Sequence, residues 1–146
     1  MLGDTEKGKT VMKKTNEVSE LVGVSKRTLQ YYDDEGLISA ERSENNHRLY
    51  DEKTLETLWN ILLYKEMNFE LKDIKYLLSI SEDQLHVYLR KRKVEIGKEF
   101  EELNLQMKFI SLVEQQGMPP VPEIEQGKET FTEHVELLRQ KLQRED

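Results

Sequence analysis

Lys26, Arg27 and Thr28 follow Ser25 directly, and Tyr31 lies one turn further on. Those side chains carry the chemistry of duplex recognition. An arginine donates two hydrogen bonds to a guanine edge. A lysine meets a phosphate, and a tyrosine hydroxyl reaches the sugar-phosphate backbone. A second group, Arg42, His47, Arg48 and Tyr50, lies on a stretch of strand-like pattern. The expected DNA-contacting residues are therefore Ser25, Lys26, Arg27, Thr28, Tyr31, Arg42, His47, Arg48 and Tyr50. A lone basic residue is usually just solvated. The case rests on Arg27, Tyr31 and Arg48 recurring in one short frame.

Other chemistries find little support. The chain has no cysteine, which removes thiolate nucleophiles, thiolate metal sites and disulfides. Its 3 histidines, His47, His86 and His134, are far apart and form no H-x-x-x-H pair, so no metal and no cofactor are expected. No phosphate-binding glycine loop and no nucleophile elbow are present. Paired carboxylates such as Glu101 and Glu102 fall on a polar helix face. An enzyme is not expected.

The elements that must hold the basic residues can be read from pattern. Thr15–Val22 is a short helix with Val18, Leu21 and Val22 inward, ended by Gly23. Ser25 is a good N-cap for a second helix to about Asp34, with Leu29 and Tyr32 inward and Gly36 as the stop. Two short helices joined by a glycine-containing turn outline a helix-turn-helix. Ile38–Arg42 and His47–Tyr50 are strand candidates around the Ser43–Asn46 turn. Asp51 caps a third helix whose apolar stripe is Leu55, Leu58, Trp59, Leu62 and Leu63. A fourth, Glu70–Ser79, turns Leu71, Ile74, Leu77 and Leu78 inward.

Residues 81–116 fit one long helix. Ile96, Phe100, Leu103, Met107 and Ile110 repeat at 4,3,4,3 spacing, a coiled-coil seam that Leu89 extends backwards. Gly97 interrupts it at a cost of about 1 kcal/mol relative to alanine. A second copy of the chain is the cheapest cover for such a seam, so a homodimer is expected. Residues 117–127 form a linker stiffened by 3 prolines. Residues 128–146 hold a last amphipathic helix with Phe131, Val135, Leu138 and Leu142 on one face, too short to stand alone. Trp59, Tyr64, Tyr88, Phe109 and Phe131 are the candidates for lining a small organic-effector pocket.

Bulk charge gives no support for DNA binding and favours a protein-interaction role. Charged residues make up 35% of the 146 and the net charge is -7. Residues 1–50 carry 8 basic against 9 acidic side chains, and residues 81–146 carry 10 against 14. Asp33, Asp34 and Glu35 crowd the end of the proposed groove helix. Any DNA reading must therefore rest on local arrangement. Residues 1–12 read as a flexible lead-in without an apolar signal region, and no run is long enough to span a membrane. A cytoplasmic location fits.

The segments VSKRTLQYYDDEGLI and NNHRLYDEKTLETLWNILLYKEMNFELKDIKYLL resemble the MerR family of bacterial transcription regulators over roughly residues 12–80. The shared pattern is R-T-L-x-Y-Y-D, then an R-x-Y wing. Four departures stand out. Thr15 replaces an apolar residue, Asn46-His47 the Gly-Tyr of the wing, Asn68 a glycine, and Glu70 a capping serine. The resemblance implies a mainly α fold: a winged helix-turn-helix with a helix-pair spacer over 13–80, an antiparallel coiled coil over 81–116, and a short C-terminal helix. It implies a dimer on a pseudo-palindromic promoter site, bending and untwisting double-stranded DNA beside RNA polymerase. The alternative reading is a protein-interaction module that uses the same helices as a scaffold without specific DNA binding.

Overall fold

A computed structural model describes residues 12–145. The expected lead-in, apart from Met12, and the terminal Asp146 lie outside the described residues. The chain divides into two compact units, one ending at Leu85 and one beginning at His86.

In the first unit, β1 (Lys13–Lys14) leads into α1 (Thr15–Val22) and α2 (Lys26–Asp34). The wing strands β2 (Glu41–Arg42) and β3 (Arg48–Tyr50) follow, then α3 (Glu52–Glu66) and α4 (Leu71–Ser79). The helix starts are chemically marked. The Ser25 hydroxyl accepts from the Thr28 N–H at 3.0 Å, and the Asp51 carboxylate accepts from the Thr54 N–H at 2.8 Å, each satisfying an orphan donor of a first turn. Gly23 at φ 82° and Gly36 at φ 78° end α1 and α2 in the left-handed region, where a Cβ would be strained.

The strands are shorter than the sequence pattern suggests, and a third was missed. β1 pairs antiparallel with β3, which also pairs with β2, giving the order β1-β3-β2. The core is closed: Val18, Leu29, Tyr32, Tyr50, Leu58, Ile61 and Ile74 are fully buried or nearly so.

The buried face of α3 differs from the expected stripe. It consists of Thr54, Leu58, Ile61 and Tyr64, while Trp59 and Leu63 are exposed. A run crowded with apolar residues permits two overlapping stripes. Packing against α1 and α4 selects the one one-third of a turn away from Trp59. Leu21 on α1, expected inward, is also exposed.

The second unit contains most of α5 (Glu82–Gln116), the proline segment and α6 (Phe131–Arg144). α6 begins three residues later than pattern suggests. Thr130 and Glu133 form a reciprocal capping box that fixes its first turn. α6 packs on α5 through Leu105 and Leu142, both buried. The Lys108 ammonium donates to the carbonyl oxygen of Leu142 at 2.9 Å and to that of Glu145. Arg139 pairs with Glu102, which holds the guanidinium above its ordinary pKa. Among the described residues, no helix is long and apolar enough to cross a membrane.

Candidate nucleic-acid interface

Lys26 and Arg27 occupy the first turn of α2, exposed, with no ion pair or hydrogen bond to a described residue competing for either side chain. The helix N-terminus adds its own partial positive charge there. The Tyr31 ring, 48% exposed, lies further along α2, its centroid 6.5 Å from that of Tyr32. Tyr32 is buried beside Leu29 and accepts a hydrogen bond from Lys65 at 3.4 Å. The packed tyrosine anchors the helix, and its neighbour is left for the outside. Ser25 and Thr28, expected as DNA contacts, are occupied locally: their hydroxyls are 2.9 Å apart within the cap. They set the pose of the neighbouring cations.

The wing is built with equal care. The Ser43 N–H donates to the His47 carbonyl at 2.8 Å, and the Ser43 hydroxyl accepts from the His47 N–H at 3.1 Å. Asn46 takes φ 62° at the tip. Asparagine is the side chain best suited to that region after glycine, so the departure from Gly-Tyr leaves the turn intact. Arg42 donates one N–H to the Asn46 carbonyl at 3.1 Å and otherwise points outward with His47. Asn68, the other replaced glycine, is likewise left-handed at φ 66°.

One wing assignment needs correction, and a second side chain is engaged within the fold. Arg48 and Tyr50, two residues apart on β3, share one face of the strand. That face looks inward. Tyr50 is fully buried, and its hydroxyl has no hydrogen-bond partner among the described residues, so it belongs to the core and cannot meet DNA as expected. Arg48 is folded onto the end of α2: its Nε donates to Asp33 at 2.9 Å and its terminal nitrogen approaches Asp34 at 3.5 Å. The Asp33 hydrogen bond holds the guanidinium above its ordinary pKa. Asp33 and Asp34 were read from sequence only as unwelcome negative charge.

The second unit bears the expected seam. Ile96, Phe100, Leu103, Met107 and Ile110 are between 43% and 70% exposed in the single chain, and Leu89 is half-buried. Of the five aromatics expected around an effector pocket, only Phe109 and Phe131 come together. They line an open cavity of about 490 Å³ with Leu112, Pro119, Pro122 and Leu138. Trp59 is exposed on α3, and Tyr64 is buried against Phe69 with ring centroids 6.2 Å apart; both belong to the first unit. Tyr88 lines a separate crevice with Lys91, Arg92 and Glu95.

Comparison with known proteins agrees with this geometry. The family described as MerR HTH family regulatory protein matches residues 14–80. The multidrug-efflux transporter 2 regulator of Bacillus subtilis is 41% identical over 92 residues, covering 61% of this chain and 33% of that protein. The chain thus spans about a third of the length of this curated relative. The crystal structure of MtaN, the N-terminus of the Bacillus subtilis multidrug transporter activator, superposes with a TM-score of 0.64 at 28% identity. It covers 71% of this chain and 99% of that one. HiNmlR, a MerR family regulator lacking the sensor domain and solved bound to promoter DNA, shares the fold at a TM-score of 0.52 and 23% identity, covering 77% of this chain and 100% of that one. Residues 14–80, the winged helix-turn-helix, are thus similar to the MerR HTH family of regulatory proteins.

Proposed function

We propose that this chain is a sequence-specific, DNA-binding transcription regulator that acts as a homodimer. The observation that carries the reading is the first turn of α2. Lys26 and Arg27 stand there exposed and without a described partner, on a helix anchored by Leu29 and Tyr32. In helix-turn-helix docking, that end enters the major groove. Arg27 reads guanine, Lys26 and Tyr31 meet phosphates, and Arg42 and His47 at the wing tip meet the flanking backbone.

The exposed seam on α5 supports an antiparallel coiled coil between two copies. A 35-residue helix extends about 50 Å, enough to hold two heads on successive turns of a duplex. Family likeness supports the rest: a pseudo-palindromic promoter site, bending and untwisting by indirect readout, and action beside RNA polymerase. The chain does this work without catalysis, in the cytoplasm where the promoter is. The cavity between Phe109 and Phe131 is the place for an organic effector, since its volume and apolar lining suit a drug-sized molecule. A scaffold that binds only protein is not favoured, because it leaves the exposed α2 cations without a task.

Competition between a selected duplex and random DNA tests the reading. The selected duplex should win, with affinity falling steeply as salt rises. Arg27→Ala should cost about 1–3 kcal/mol and relax preference at one position, while Lys26→Ala should weaken all sequences and reduce the salt slope by about 1. Equal affinity for both duplexes would refute sequence-specific binding.

A further inference from the structure

We infer that Arg48 is a positioning residue: it locks the wing against the recognition helix, with Asp33 as the hub of the lock, and does not itself contact DNA. The inference rests on the DNA-binding reading above and assigns a different task to a residue that sequence places at the interface.

Three observations meet at Asp33. One carboxylate oxygen accepts from the Arg48 Nε at 2.9 Å. The other accepts from the Ala40 N–H at 3.3 Å, on the segment entering β2. Asp33 itself lies in the last turn of α2. A single side chain therefore ties the end of the recognition helix to both arms of the wing. Arg48 and Asp33 are each only 17% exposed, so the pair is shielded from solvent and competing ions far better than a surface ion pair.

Electrostatics gives the lock a second effect. Carboxylates at a helix C-terminus oppose the local dipole, and Asp33 and Asp34 are close enough to the wing to repel phosphate. Placing one guanidinium against both removes most of that penalty. Turning Arg48 outward would break both contacts and leave the Asp33 carboxylate, only 17% exposed, without its cation. Arg42 and His47, at the exposed tip, are left as the wing's outward groups.

The test uses the full chain and a duplex that the wild type enriches from a random library. Thermal melting first confirms that each variant is folded. Asp33→Asn keeps an acceptor for Ala40 but removes the charge, so it remains informative if Arg48→Ala unfolds. For a positioning role, Arg48→Ala and Asp33→Asn should each lower the specific-to-random affinity ratio by roughly tenfold. The double variant should be no worse than either, and the salt slope should stay at its wild-type value. The exchanged pair, Asp33→Arg with Arg48→Asp, should recover only part of the ratio, because arginine offers no acceptor to the Ala40 N–H. The Arg48 Nε–H resonance should stay hydrogen-bonded in both free and bound protein. A salt slope reduced by about 1 in Arg48→Ala, with Asp33→Asn binding as well as or better than wild type, would overturn the inference and make Arg48 a phosphate contact. Failure of the wild type to enrich any duplex would instead strike at the DNA-binding reading.

Discussion

The two units of this chain bury their apolar side chains to very different degrees. The first closes a core around Leu29, Tyr32, Leu58, Ile61 and Ile74 and leaves fewer large apolar groups outside than the second. In the second, Leu105 and Leu142 are the buried residues among those described, while Phe100, Leu103, Met107, Ile110 and Phe131 stand in solvent. The periodic pattern along α5 is as regular as any in the first unit. Regular spacing shows that a face will be covered; it does not show whether the cover belongs to the same molecule. A self-sufficient head and an incomplete stem are the arrangement a dimeric reader of two half-sites requires.

The most damaging way to break this contrast is to charge the seam. Leu103→Glu with Met107→Glu should halve the solution mass by sedimentation and weaken duplex binding on the order of a hundredfold, through loss of the second head. The first unit should keep its melting behaviour. A dimer that survives both charges would show that the seam is covered by something else.

Ile61→Ala attacks the other side of the comparison. It removes a fully buried side chain and should cost about 2–5 kcal/mol in urea unfolding, leaving any dimer mass unchanged.

A smaller effect is expected at Asp51. Its hydrogen bond from the Thr54 N–H holds the carboxyl below the ordinary carboxylate range. The charged form is thus favoured in the folded state. The contribution is present above about pH 4 and is lost as pH falls through the lowered folded value. Asp51→Ala should cost about 1 kcal/mol near neutrality. Asp51→Asn should keep most of the cap while flattening the acid dependence, as read from urea midpoints at several pH values.

The finest probe is Gly97→Ala. A Cβ there meets nothing within 4 Å in one chain, so helix propensity alone predicts a gain of up to ~1 kcal/mol. A raised melting temperature would place open space at Gly97 in the assembly. A lowered one would mark close approach by a second backbone.

Legibility followed the range of the interactions. Ser25 and Asp51 start helices by bonding three residues ahead, and both starts can be read directly. Thr130 and Glu133 carried an equally local capping signal, overlooked in favour of a start at Lys128. Asn46 and Asn68 are departures from the family pattern that keep its left-handed turns. By contrast, β1 has two residues, and only its pairing with β3 makes it a strand. The buried side of α3 was decided by neighbours in space. Leu58 fits both possible stripes, while Ile61 and Trp59 separate them. At the candidate interface, the exposed position of Lys26 and Arg27 in the first turn of α2 was legible from the Ser25 cap. The Arg48–Asp33 pair was not legible, because its partners are 15 residues apart and Asp33 reads from sequence only as charge.

Lys108 leaves one consequence for the tail. It grips α6 by carbonyl oxygens at its far end. The Arg139–Glu102 pair rests on side chains alone, so Arg139→Ala removes that tie and leaves the Lys108 one in place. The tail is then expected to swing like a door on its last hinge, parting Phe131 from Phe109 and widening the mouth of the hollow they share.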